Sequence, residues 1–180
     1  PRLPIDRVFS VSGFGTVVTG TLIDGRFETG QEVRIQPLGL KARIRGLQTH
    51  KEKIDRAVPG SRVAVNLSGV DTDQIARGDV VASGDWLQGT TLVDVRMRYL
   101  PAILWPDLGQ FAQRPLRHNT RLKFYTGAAE VMGRVRLLGQ DVLLPEEVGW
   151  VQLELQEPIA MVPGDHYIVR LPSPPTTVGG

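Results

Sequence analysis

The sequence contains no cysteine in 180 residues. That excludes a disulfide scaffold, thiolate metal ligation and a cysteine nucleophile, and it fits a reducing compartment. Lysine is scarce: Lys41, Lys51, Lys53 and Lys123 are the only four, so seventeen of the 21 basic residues are arginine. Arginine is the better partner for phosphate and for planar, two-point recognition. No stretch approaches the roughly 18 apolar residues of a membrane span. The longest uncharged apolar run, Tyr99 to Pro106, is broken by two prolines. The opening Pro1-Arg2-Leu3-Pro4 is not a signal peptide. These features imply a cytoplasmic protein with no membrane partner. A net charge of +2 is too small to argue nucleic-acid binding from electrostatics alone.

Glycine and proline are plentiful, 33 residues together, or about 18% against an average near 12%. Breakers at that density exclude long helices. The hydrophobic period is two. Ile5 to Val11, Gln31 to Gln36, Arg62 to Leu67, Leu92 to Arg98 and Val151 to Leu155 each read as half-buried strands. Val131 to Leu137 repeats the pattern, with Gly133 marking a bulge or close packing. Asp24-Gly25, Pro59-Gly60, Arg77-Gly78-Asp79 and Pro163-Gly164-Asp165 read as turns, and Asp71 to Ala76 as one helical turn. Many short strands with Gly/Pro turns mean an all-β sandwich or barrel.

Alternation stops near Ser83 to Gly89 and restarts at Thr91, which suggests a boundary between residues 1–87 and 88–180. The first part carries 12 basic and 10 acidic residues, the second 9 and 9. A weak echo relates the halves. Pro59 to Val65 leads to Gly78-Asp79-Val80, and Val148 to Leu153 leads to Gly164-Asp165-His166. Two consecutive small antiparallel β-barrels are the expected architecture. Leu100 to Arg117, with Pro101, Pro106 and Pro115, is the longest irregular stretch.

Catalytic constellations are missing. There is no G-x-x-x-x-G-K-[ST] loop. Gly13-Phe14-Gly15-Thr16 lacks the third glycine and the following helix of a dinucleotide fingerprint; it reads as a glycine-permitted bulge between strands. His50, His118 and His166 have no metal-ligand spacing. Glu146-Glu147 reads as a solvated turn, and no serine has a nucleophile elbow. An enzyme is the least supported class.

The specific signal is the run Val8-Phe9-Ser10-Val11-Ser12-Gly13-Phe14-Gly15-Thr16-Val17-Val18-Thr19-Gly20-Thr21. It resembles the opening of the second domain of translational GTPases. Gly25 to Ile35, Ile44 to His50 and Gly60 to Leu67 continue the match. Pro158-Ile159-Ala160-Met161, Gly164-Asp165 and Thr177-Val178-Gly179-Gly180 resemble the end of the third domain. Two positions resemble the selenocysteine-specific branch, not the Tu-like pattern. Arg7 stands where that pattern has an acid, and Arg62 where it has a neutral residue.

The resemblance implies a tRNA-binding pair of barrels from a factor that delivers selenocysteinyl-tRNA to the ribosome in a GTP-dependent way. Residues 1–87 would hold the tRNA 3′ end and the aminoacyl group, and residues 88–180 the T-arm. Arg7 and Arg62 would bind selenocysteine. Gly13, Gly15 and Thr16 would give the terminal adenosine close approach to the strand, and Arg121, Lys123 and Gly179 would meet tRNA phosphates. Phe14 could stack on a base, although a phenylalanine in a barrel is ordinarily core. GTP and Mg would belong to a GTPase domain expected before Pro1. The mRNA hairpin would belong to a winged-helix region expected after Gly180.

The arginine pair has a chemical rationale. A thiol has an unperturbed pKa of about 8.5; a selenol is more acidic and is a selenolate at neutral pH. Fixed cations suit it, whereas serine would leave them unpaired, so discrimination includes a penalty on the wrong ligand. Two other readings fit the same residues. One is the barrel pair of a translational GTPase carrying ordinary aminoacyl-tRNA. The other is a β-barrel protein-docking module.

Overall fold

The computed structural model describes residues 1–101 and 114–180. Most of the irregular stretch Leu100 to Arg117 therefore lies outside the described residues. The expected all-β architecture is what forms. The chain divides into two compact units, one of Pro1–Gly89 with Gly127–Ala129 and Ile159–Pro163, the other of the remainder.

The first unit contains β1 (Arg2–Val11), β2 (Gly15–Thr21), β3 (Phe27–Glu28), β4 (Glu32–Gln36) and β5 (Leu40–Thr49). They are followed by β6 (Glu52–Ile54), β7 (Arg56–Ala57), β8 (Arg62–Ser68) and β9 (Val80–Ala82). Six strands close in the order β4-β9-β1-β2-β8-β5, because β5 pairs back onto β4. Closure leaves no unpaired edge around the ring. Strand β6 extends β5 as a hairpin, and the expected single turn forms as a 3-10 helix at Thr72–Gln74. Inward residues alternate with outward ones, as in β8, where Val63, Val65 and Leu67 are buried while Arg62, Ala64 and Asn66 face out.

Two strands break that period by one residue. In β1, Ile5 pairs with Gly20 and Arg7 with Thr19, leaving Asp6 as an inserted bulge residue. In β5, Ile44 pairs with Leu67 and Gly46 with Asn66, leaving Arg45 inserted. A bulge shifts the side-chain register downstream of it. Val8 thus packs against the core while Arg7 and Phe9 face out.

The second unit contains β11 (Leu116–Arg117) and β12 (Arg121–Thr126), with β10 (Gly89–Arg98) and β13 (Ala129–Leu138) beyond their first residues. It continues with β14 (Val142–Leu143), β15 (Val148–Ala160) as far as Pro158, β16 (Tyr167–Arg170) and β17 (Thr177–Gly179). The six-stranded order is β10-β15-β13-β12-β16-β17. The seam between β17 and the end of β10 is closed by Arg98 N–H to Gly180 O at 2.9 Å and Leu100 N–H to Val178 O at 2.9 Å. Gly133 makes the close approach foreseen for it, since an added Cβ would lie 3.0 Å from Leu155 Cδ2. The β13–β15 register runs without a shift from Gly133 to Leu138.

Phe124 and Tyr167 stack in this unit at 5.3 Å between centroids. The Tyr167 hydroxyl donates to Arg96 O at 3.0 Å. Burial pushes the Tyr167 phenol well above its ordinary value, and the Tyr99 phenol upward as well. A folded-state pKa raised above the unfolded one contributes stability that is present below about pH 10 and is lost as pH rises above it. The thermal unfolding midpoint should therefore fall between pH 9 and pH 11. Tyr167→Phe should cost about 1 kcal/mol at neutral pH and flatten the alkaline fall, which calorimetry at the two pH values would read.

Candidate functional site

The outward wall of the first barrel assembles two adjoining features from β1, β2, β5, β6 and β8. The first is a charge cluster. Arg62 Nη1 donates to Asp6 Oδ2 at 2.6 Å and Nη2 to Asp6 Oδ1 at 3.0 Å, an end-on, two-point pair. Thr19 Oγ1 donates to the same Oδ1 at 2.7 Å. Partial burial of Asp6 acts upward on its pKa. The bonds from Arg62 and Thr19, with the charges of Arg62 and Arg7, outweigh it and hold the carboxyl below its ordinary value. Arg62 is correspondingly raised. Arg7 is exposed, lies opposite Thr19 and has no ion-pair partner among the described residues. The bulge creates this arrangement by placing Asp6 and Arg7 on one face.

The second feature is a groove of about 370 Å³. Phe9, Val11, Phe14, Val17 and Ala64 give it an apolar wall, and Arg45, Gln48, Lys53 and Asn66 a polar one. It adjoins the charge cluster, since Phe9 and Ala64 stand two residues beyond Arg7 and Arg62 on the same outward faces. Phe14 is 54% exposed, so the expectation that it belongs to the core is corrected. It sits in a three-residue hairpin turn, Ser12 to Phe14, between the paired residues Val11 and Gly15. The glycine segment is thus a turn and not the bulge read from the sequence; Gly13 and Gly15 take φ of 79° and 78°. Asn66 Nδ2 pins the turn by donating to Phe14 O at 2.6 Å and Thr16 O at 3.3 Å.

The other sequence-selected residues fall differently. Thr16 is buried, and its hydroxyl donates to Val70 O at 2.8 Å, so its side chain is committed to the fold. Gly179 is buried at the seam of the second barrel, where it pairs with Val169 and bridges Tyr99. An added Cβ there would overlap Met97 and lie 2.7 Å from Arg98 O, so the seam requires glycine at this position. Lys123 is paired with Glu130 at 2.6 Å. That bond and charge raise the Lys123 pKa and lower that of Glu130. Arg121 is exposed on β12 with no ion pair among the described residues.

Sequence reasoning missed Asp6, Phe9, Val11, Arg45 and Asn66. A signal existed for Asp6 and Arg45. The inward apolar residues Ile5 and Val8, and likewise Ile44 and Leu47, are three apart within a strand, which an unbroken period of two forbids.

The profile of elongation factor Tu domain 2 matches residues 15–82, and that of the selenocysteine-specific elongation factor β-barrel domain matches residues 108–180. The chain belongs to the selenocysteine-specific elongation factor family. It is similar to the selenocysteine-specific elongation factor of Desulfomicrobium baculatum, 38% identical over 99% of this chain and 27% of the relative. It is also similar to that of Methanocaldococcus jannaschii, 27% identical over 98% of this chain and 39% of the relative. The chain thus spans about a quarter to two-fifths of the relatives' length. The crystal structure of bacterial selenocysteine-specific elongation factor EF-Sec shares the fold, with a TM-score of 0.78 at 23% identity over 99% of this chain and 27% of that one. Within this family the two units are translation-factor β-barrels. No helix among the described residues is long and apolar enough to cross a membrane.

Proposed function

We propose that this chain is the tRNA-binding part of a factor that delivers selenocysteinyl-tRNA to the ribosome. The observation that carries the reading is the adjacency on one barrel wall of a two-arginine cluster and an outward apolar groove. The groove has the size and chemistry for the 3′-terminal adenosine, with Phe9 and Phe14 offering faces to a base. The ester-linked side chain then reaches Arg7 and Arg62, where a selenolate gains a charge attraction that a neutral serine hydroxyl lacks.

On the second barrel, Arg121 meets T-arm phosphates, with Lys123 available once it leaves Glu130. Gly13 and Gly15 allow the turn to lie close to the nucleotide; the buried hydroxyl of Thr16 and buried Gly179 act through the fold. GTP and Mg, and the mRNA hairpin, belong in this reading to domains outside this chain. GTP-dependent closure of such a domain over the groove would complete the aminoacyl site.

The test is a titration of the chain against selenocysteinyl-tRNA and seryl-tRNA at two salt concentrations, repeated with Arg7→Ala and Arg62→Ala. A selenocysteine preference that each substitution erases is expected, while salt-sensitive backbone binding survives. Equal binding of both tRNAs by the unsubstituted chain would overturn the assignment of the two arginines. Absence of tRNA binding at either salt concentration would favour a protein-docking module.

A further inference from the structure

The second barrel has an outward face with no part in the tRNA contacts proposed above. On β15, Val148, Trp150, Gln152 and Glu154 face out, with Val151, Leu153 and Leu155 buried behind them. Across the sheet, Leu138 of β13 stands opposite Trp150, Arg136 opposite Gln152 and Arg134 opposite Glu154. Strand β10 flanks β15 on its other side. Tyr99 N–H donates to Glu147 O at 2.9 Å and Gln152 Nε2 to Asp94 Oδ1 at 2.9 Å, a register that sets Arg96 beside Trp150.

Two properties of this face point to one kind of ligand. Trp150 is 56% exposed, and no ring or guanidinium among the described residues stacks on it. Around it, Arg96, Arg98, Arg134 and Arg136 are exposed and make no ion pair among the described residues. The acids on the same rows are Asp94, engaged by Gln152, and Glu154. We propose that the β10–β15–β13 face binds single-stranded RNA, with a base stacked on Trp150 and neighbouring phosphates on Arg96 and Arg136. An open ring set among cations is the composition of a stacking platform for unpaired nucleotides. Neighbouring strands lie about 4.8 Å apart and alternate residues about 6.7 Å, so both guanidiniums reach phosphates either side of that base. A protein interface centred here would instead bury several unpaired charges, which interface cores avoid. A double helix hides its base faces, so the ligand differs from the T-arm phosphates assigned to Arg121. No residue of the first barrel takes part, and the proposal stands or falls apart from the selenocysteinyl pocket.

The test titrates the whole chain with a uridine decamer and with an abasic ribose-phosphate decamer of the same charge. Indole quenching reports the base at Trp150, because the groove of the first barrel is lined by no tryptophan. Anisotropy of labelled RNA reads affinity. The uridine decamer should quench, the abasic one should not, and Trp150→Phe should remove the quenching while keeping most of the affinity. Trp150→Ala should weaken uridine binding roughly five- to a hundredfold, the worth of one stacked base. Replacing Arg96 and Arg136 together by alanine should lower the slope of log affinity against log salt by about 1.4, roughly 0.7 for each phosphate contact on a single strand. Uridine affinity unchanged in Trp150→Ala would overturn the proposal, as would quenching that survives Trp150→Phe. The latter variant carries the test should Trp150→Ala fail to fold. If neither decamer binds, the proposal also falls and the face is left to a protein partner.

Discussion

Gly20→Val is expected to prevent the first barrel from closing, whereas Gly46→Ala should leave it intact. Both glycines lie in strands, so the contrast isolates packing from backbone freedom. Gly20 sits on β2 between Ile5 and Val63. A Cβ there would overlap the Pro4 carbonyl oxygen and lie 2.6 Å from Leu3 Cδ2. The carbonyl belongs to a paired strand and cannot step aside as a flexible side-chain end could. Overpacking against backbone should cost about 3 kcal/mol or more, a large part of a typical total of 5–15 kcal/mol. At Gly46 nothing lies within 4 Å of an added Cβ, and alanine should be neutral or stabilising by up to about 1 kcal/mol. Urea unfolding of the two variants reads the difference. The consequence reaches the site, because Gly20 is the residue opposite Ile5 where the bulge begins. A β1 strand pushed off β2 would separate Asp6 from Thr19 and Arg62. Gly20→Val protein that folded with an unchanged midpoint would show that β1 does not need this close approach.

Period-two alternation and Gly/Pro turns carried most of the fold in the sequence, because barrel strands bury one face and each turn glycine takes a conformation other residues avoid. β8 is the clean case, with Val63, Val65 and Leu67 inward and polar or small residues outward. The candidate site was less legible for a physical reason. Its chemistry depends on two insertions that break the alternation, and on which outward residues meet across strands far apart in sequence. Arg7 and Arg62 were visible as charges, but Arg62's partner Asp6 was not, since a 56-residue separation hides a two-point ion pair. Thr16 and Gly179 illustrate the converse. A hydroxyl and a glycine in a motif look available for a ligand, yet one is consumed by Val70 O and the other by the barrel seam. Phe14 shows a third limit, since its exposure follows from the hairpin turn and not from its hydrophobicity.

Filling the apolar groove should separate recognition of the tRNA end from attraction to its backbone. Ala64 faces outward on β8 between Thr19 of β2 and Gln48 of β5, and it lines the groove. Ala64→Trp would place an indole there without touching the core, so the unfolding midpoint should hold. If the groove takes the terminal adenosine, tRNA affinity should fall roughly five- to a hundredfold, the worth of one stacked base. The salt dependence should keep its slope, because the phosphate contacts remain. With uncharged tRNA throughout, removing the terminal adenosine supplies the second arm of a cycle. It should weaken the unsubstituted chain by a similar factor and leave Ala64→Trp nearly unaffected, since the variant has no groove left to lose. Equal, additive losses would mean that the adenosine binds elsewhere. The coupling between the two changes is therefore the quantity that assigns the groove, and it does so independently of which aminoacyl group the tRNA carries.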